Sequence, residues 1–436
     1  MRPLSLIFIF MAILLIPHGM GVRFSIGHID IPRLVILLTT FYGFYLYLLS
    51  WIKAKKIILP EGAKLLAGFS SILILSAIFS SNLTASLTLC LQLLTIWVFF
   101  PLAIVKIFEN EGIEILYKAF GIIIVILSLY AFYELVVQDY LVPPEIRTSF
   151  HENEQFNKTK HIRNGVLLSR GPFMWNHALS GIGIILCGVG LYAYEKKKSI
   201  GIVITFLTLL IVFSSGVRAG NIGLFIGILA YSIYTRQFWI LIHYFASLAL
   251  VSLLYFLPFG TPAPFVFSAD LSYEWMASAA QSNQIIIEKF EALGIPLFFE
   301  LKNTGTIGIK IAGFILNLLQ LDQWWAVGYS FGSFQRPDTI LSDAIQYNDP
   351  GLLQLFFLES GLFAGGLLLF FLFKAIYDGF KYDQTRPMAV GILAWSIFAL
   401  SSWEIWPLML ATIFGLLIFR HHATQKITEG KPHNQH

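Results

Sequence analysis

A run of about 20 apolar residues is long enough, as a helix, to cross the hydrocarbon core of a bilayer. This chain repeats that run from one end to the other. Stretches of the kind lie near 3–22, 32–52, 64–81, 86–105, 115–137, 175–194, 199–216, 220–235, 238–258, 351–376, 387–403 and 404–419. Only 12% of the 436 residues are charged and 57% are hydrophobic, whereas a soluble domain carries roughly 25% charged residues. A chain this apolar cannot clothe itself for water, so lipid is the expected solvent. The predicted fold class is all-α, a polytopic integral membrane protein of about 12 transmembrane helices. The first run follows Arg2 and has the look of a signal peptide, but Pro17-His18-Gly19-Met20 is a poor cleavage site. It is read as an uncleaved first helix.

Basic residues set the orientation. Arg2, then Lys53, Lys55, Lys56 and Lys64, then Lys106 and Lys118, then Lys196, Lys197 and Lys198, then Arg236, then Lys374, Lys381 and Arg386, then Arg420 and Lys426 all fall on one side of a twelve-span chain. Cytoplasmic loops carry the excess of lysine and arginine, so both termini are expected in the cytoplasm. Residues 1–258 then hold nine spans with an outer loop near 138–174. A second, large outer loop covers 259–350 and has helical patterning of its own over 273–293 and 309–323. Three more spans fill 351–419, and 420–436 is a cytoplasmic tail. Loops of that size on a rigid scaffold often carry function.

Ionisable groups near membrane depth are costly and mark function by default. Arg170, Arg218, Lys310 and Arg336 lie on the side where cations are not expected. In the long loops they read equally well as solvated charges. Arg218 sits in Phe213-Ser214-Ser215-Gly216-Val217-Arg218-Ala219-Gly220, a short turn between two apolar runs. It either snorkels to the interface or grips an anionic substrate, a task that suits the guanidinium fork. Arg170 opens Arg170-Gly171-Pro172-Phe173-Met174-Trp175-Asn176-His177, a loop-to-helix junction in which Asn176 can cap the following helix. His177 reads as a packed interfacial histidine or as a proton carrier. The end of the large loop holds Gly328-Tyr329-Ser330-Phe331-Gly332-Ser333-Phe334, then Asn348-Asp349-Pro350-Gly351, then Glu359-Ser360-Gly361 inside an apolar helix. Asp349 is either a helix cap or an acid–base group, and the two roles are compatible. Glu359, about two turns into its span, must pair with a cation or take up a proton there. Glu404 raises the same question.

Other chemistries leave no trace. The chain has no GxxxxGK[ST] loop, no GxGxxG between strand and helix, no GxSxG elbow and no clustered His/Cys set. Cys90 and Cys187 lie in apolar runs. No nucleotide cofactor, metal or nucleic-acid partner is expected.

Taken in order, these segments resemble the bacterial O-antigen polymerase and O-antigen ligase superfamily, whose members are polytopic glycosyltransferases of the GT-C type. Residues 170–179 look like its "R-x-x-G-T-F-x-N-P-N-x-L-A" region in shortened form, and 213–224 look like "T-x-S-R-G-A", with Arg218 on that arginine. Residues 310–328 look like "R-x-x-x-W…G-x-G", with Lys310 where arginine is usual, and Gly328 to Phe334 fit the glycine turn that follows. Asp349-x-Gly351-Leu352-Leu353-Gln354…Glu359-x-Gly361 looks like "H-N-x-Y-L-Q…E-x-G-x-x-G". The ligase branch has histidine where this chain has Asn348 or Asp349, and its absence favours the polymerase branch.

The resemblance implies a donor and an acceptor that are polyprenyl-pyrophosphate-linked oligosaccharides in membrane lipid. It implies a bacterial inner-membrane location, a site facing the periplasm and, for a polymerase, a chain-length regulator as a further partner. It places Arg170, Arg218 and Lys310 on the pyrophosphate, with Arg336, a loop cation outside its motifs, as a further candidate, and Asp349, Glu359 and Arg218 in catalysis. Asn176, His177, Tyr329 and Asn348 fall to sugar binding, and no cofactor is implied. A ligase is the alternative within the class; a lipid-linked oligosaccharide transporter is the alternative outside it. A transporter should show repeat symmetry and broken helices; the sequence shows no repeat.

Overall fold

The structure, a computed structural model, describes residues 31–55, 62–79, 83–108, 113–142, 165–173, 176–259 and 351–400, with short pieces at 25–26, 29–30 and 162–163 and single positions such as Ser402. The helices are α1 (Ile31–Ala54), α2 (Gly62–Ile78), α3 (Leu83–Leu94), α4 (Phe100–Phe108), α5 (Ile113–Val137), α6 (Asn176–Ile185), α7 (Cys187–Lys196), α8 (Lys198–Ser214), α9 (Arg218–Thr235), α10 (Trp239–Phe259), α11 (Leu352–Phe380) and α12 (Arg386–Phe398). A π-helical turn, Thr95–Phe99, joins α3 to α4. Leu186 separates α6 from α7. Two small antiparallel hairpins pair β1 (Ser25–Ile26) with β2 (Ile29–Asp30) and β3 (Ile162–Arg163) with β4 (Val166–Leu167).

Among the described residues, five helical stretches are long and apolar enough to cross a membrane: Leu34–Ala54, Ser86–Ile107, Glu114–Val137, Asn176–Lys196 and Phe356–Phe380. Shorter apolar helices run over Gly62–Ile78, Lys198–Ser214, Trp239–Tyr255 and Arg386–Phe398. The all-α membrane class expected from the sequence therefore holds. The apolar runs from 32–52 through 387–403 fall on described helices. Those at 3–22 and 404–419 lie almost wholly outside the described residues, as does the loop 259–350 with its expected helices.

The helices turn large apolar side chains outward as well as inward. Phe41 and Trp51 on α1, Leu129 and Val136 on α5, Trp239 on α10 and Phe370 and Phe373 on α11 are all exposed. A soluble surface does not tolerate so wide an apolar coat, whereas lipid tails cover it at no cost. Inside, α12 packs against α6, α7, α9 and α11, and α8 packs against α5, α6, α7 and α10. Glycines let backbones meet backbones at these crossings. A methyl added at Gly223 on α9 would collide with the Ala394 carbonyl of α12. One added at Gly391 or Gly188 would collide with the carbonyl of Ile185 or Pro387 across the α6–α7 break. Small residues serve lipid-embedded helices in this way because close dispersion contact replaces the missing hydrophobic drive.

Among the described residues, the two ends of the bundle differ. At one end α5 begins, α7 ends and α8 begins, and charges concentrate there. Asp378 accepts from Lys374 at 2.6 Å and Lys381 at 3.1 Å, and Arg386 pairs with Asp383 at 2.7 Å. The Glu195 carboxylate accepts the Tyr231 hydroxyl, and Tyr117 stacks on Tyr192. The opposite end collects the C-termini of α5, α8 and α12 and the N-termini of α6, α9 and α11.

Candidate functional site

The motif residues that the structure describes assemble at that opposite end. Hydrogen bonds between main-chain and side-chain groups tie the stretch around Arg170 to the turn before Arg218. The Ser169 N–H donates to the Ser214 carbonyl at 2.8 Å. The Asn176 side-chain amide donates to the Ser215 carbonyl at 2.7 Å. Both acceptors are end-of-helix carbonyls of α8, groups that lack an intrahelical partner. Glycine makes each turn possible. Gly171 has φ +59° and Gly216 has φ +68°, a left-handed conformation that only glycine adopts at little cost.

A third stretch joins through Ser402. His177 Nδ1 lies 3.0 Å from the Ser402 hydroxyl, and the Leu352 N–H donates to the Ser402 carbonyl at 2.8 Å. The start of α11 is held further by Gln354, whose side-chain oxygen accepts the Gly351 N–H at 3.0 Å. α11 therefore starts, at Gly351, beside the α6 and α12 termini. Asp349, Asn348, Tyr329, Lys310 and Arg336 lie outside the described residues.

The two described arginines occupy different settings. Arg218 is the first residue of α9, and its side chain is exposed. The positive end of the helix dipole favours an anion beside it. Arg170 is 1% exposed, so it is an interior cation rather than a loop charge in solvent. Its guanidinium lies over the Tyr140 ring at 4.7 Å. Burial pulls its pKa down from the ordinary value, while Tyr140 and the Glu134 carboxylate act in the other direction.

Glu359 is 2% exposed, and the helix around it is not continuous. Gly361 has φ 75° and ψ −177°, which breaks α11. The break releases carbonyls from the helical ladder, and the Ser76 hydroxyl of α2 donates to that of Glu359 at 2.9 Å. The sequence reads this stretch as uninterrupted helix; the left-handed glycine corrects it.

Glu134 and Tyr140 are absent from the sequence expectations. Glu134, 0% exposed on the last turn of α5, accepts the N–H groups of Arg170 at 2.9 Å and Gly171 at 3.0 Å on one oxygen. The signal was available: Glu134 is the one charged residue between Gly121 and Val137, the pattern that flags an intramembrane functional group. Among the described residues, no three His, Cys, Asp or Glu side chains lie close enough to share a metal ion. No family model matches the chain, and no curated protein does.

Proposed function

We propose that the chain is a membrane glycosyltransferase that polymerises lipid-linked oligosaccharide repeat units into O-antigen or a related surface polysaccharide. The observation that carries this is the convergence of three separate motif stretches on one bundle end: Ser169 to Ser214, Asn176 to Ser215, and His177 and Leu352 to Ser402. They are the stretches that resemble the O-antigen polymerase and ligase superfamily. The charge-rich opposite end suits the cytoplasm. This supports a twelve-span chain in the bacterial inner membrane, with both termini cytoplasmic and the site facing the periplasm.

In the proposed reaction an acceptor sugar hydroxyl attacks the anomeric carbon of the donor. The bond from that carbon to the pyrophosphate oxygen breaks, and polyprenyl pyrophosphate leaves with the electron pair. Arg218 and Arg170, with Lys310 and Arg336, meet the charge that develops on the leaving group; cations fixed in advance in a dry site are worth several kcal/mol in a transition state. Asp349 takes the hydroxyl proton, with Glu359 as the second candidate base. Asn176, His177, Tyr329 and Asn348 contact sugar, and a chain-length regulator is a further partner. Energy is stored in the sugar–pyrophosphate bond, so no nucleotide is needed.

The break at Gly361 beside buried Glu359 favours a second reading, a lipid-linked oligosaccharide transporter, because transporters place broken helices at their sites. Purified protein incubated with lipid-linked repeat units separates the cases. Lengthened glycans on the lipid identify a polymerase. Transfer to another acceptor identifies a ligase. Unchanged glycans alongside passage across a vesicle membrane identify a transporter.

A further inference from the structure

The end of α5 grips the stretch that carries Arg170 at several points. Glu134 Oε2 accepts two successive N–H groups, from Arg170 at 2.9 Å and Gly171 at 3.0 Å. One turn on, Gln138 Oε1 accepts the Leu167 N–H at 2.9 Å. Just past the helix, Tyr140, itself buried, lies under the Arg170 guanidinium at 4.7 Å. Successive N–H groups with a left-handed residue, here Gly171 at φ +59°, form a nest that favours an anion. The chain supplies that anion from its own helix.

Arginine has many rotamers, and fixing it on binding costs entropy. A guanidinium whose backbone is anchored and whose charge sits over a ring has met much of that cost before a ligand arrives. Burial also raises the strength of each charge contact it makes. From this arrangement we infer that Glu134 and Tyr140 are positioning residues that set the Arg170 guanidinium for a diphosphate headgroup. Glu134 fixes the Arg170–Gly171 backbone, and Tyr140 holds the guanidinium. The inference rests on the pyrophosphate-binding function proposed above.

The test uses purified full-length protein in detergent. Its affinity for undecaprenyl pyrophosphate and for undecaprenol is read from intrinsic tryptophan fluorescence, with melting temperatures recorded in parallel. Wild type should prefer the pyrophosphate. Glu134→Gln and Tyr140→Leu should each weaken pyrophosphate binding about tenfold, the scale of one lost contact to a charged group, and leave undecaprenol binding unchanged. Arg170→Ala should lose at least as much. Adding Glu134→Gln to Arg170→Ala should then cost nothing further, because a residue that acts through Arg170 has nothing left to position. Adding Arg218→Ala should cost more. Wild-type pyrophosphate affinity in both single variants overturns the inference while leaving the proposed function standing, and so does full additivity with Arg170→Ala. A wild type that does not distinguish the two lipids overturns the pyrophosphate function itself and the inference with it. If Glu134→Gln fails to fold, the same cycle with Tyr140→Leu decides.

Discussion

The Asn176 side-chain amide donates to the Ser215 carbonyl at 2.7 Å across 39 residues of sequence, so one motif stretch caps the helix that precedes the other. Asn176→Asp keeps the shape and cannot donate, which places two oxygens against each other in a buried setting. It should destabilise by about 1–3 kcal/mol, the cost of leaving a buried acceptor unsatisfied. Thermal melting in detergent measures this, and an unchanged midpoint would show that the bond contributes nothing to stability.

Gly216 has φ +68°, and a Cβ there would come within 2.6 Å of the Leu168 side chain. Gly216→Ala therefore combines left-handed strain with a clash. The expected loss is on the order of 1–3 kcal/mol, together with a fall in activity larger than that of Gly294→Ala, which shares the left-handed strain at φ +66° but whose Cβ meets nothing within 4 Å. Equal behaviour of the two variants would remove the turn from the account of the site.

Arg218 should be the least replaceable cation. Its place at the start of α9 is fixed by the turn before it, and lysine keeps the charge without the planar fork. Arg218→Ala should abolish glycan ladders in cells lacking the native protein, and Arg218→Lys should restore a small part. Arg336→Ala is the milder comparison. Full ladders from Arg218→Ala at normal membrane levels would reduce Arg218 to a snorkelling residue.

Topology offers an independent check. Reporter fusions at residue 300 and at the C-terminus should report opposite sides of the membrane, because the basic loops alternate with the long ones. Matching reports would refute the twelve-span arrangement.

Elongation by the purified protein should persist in EDTA, since cations of the chain meet the leaving-group charge in the proposed mechanism. Loss of elongation in EDTA with recovery on Mg²⁺ or Mn²⁺ would rule that mechanism out.

Sequence alone located the helices well because apolar length is a strong signal: the expected run 115–137 lies within α5 (Ile113–Val137) and 199–216 largely on α8 (Lys198–Ser214). It also singled out Arg170, Asn176, His177 and Arg218, whose stretches the fold brings to one end of the bundle. What it missed is conformational. Hydropathy is blind to φ, so Gly361 passed as one more small residue in an apolar run, although its φ is 75°. Nor does spacing reveal which distant carbonyl an amide will meet: Asn176 read as a cap for the helix that follows it, and its side-chain amide also reaches the Ser215 carbonyl just past α8. Glu134 escaped because its partners are main-chain N–H groups 36 and 37 residues away, which no side-chain motif encodes.

The glycine crossings of α12 carry a mechanical consequence. Side chains at an ordinary interface can change rotamer and absorb a small push. Backbone pressed on backbone has no such slack. A Cβ at Gly223 or Gly391 would run into a carbonyl, so α12 has no room for a larger side chain at these crossings. Its one terminus bears on Ser402 and through it on His177 and Leu352. Its other terminus bears on Arg386, whose guanidinium lies 4.9 Å from the Tyr234 ring. A larger side chain at either glycine would have to push α12 away from a neighbouring backbone rather than turn a rotamer aside.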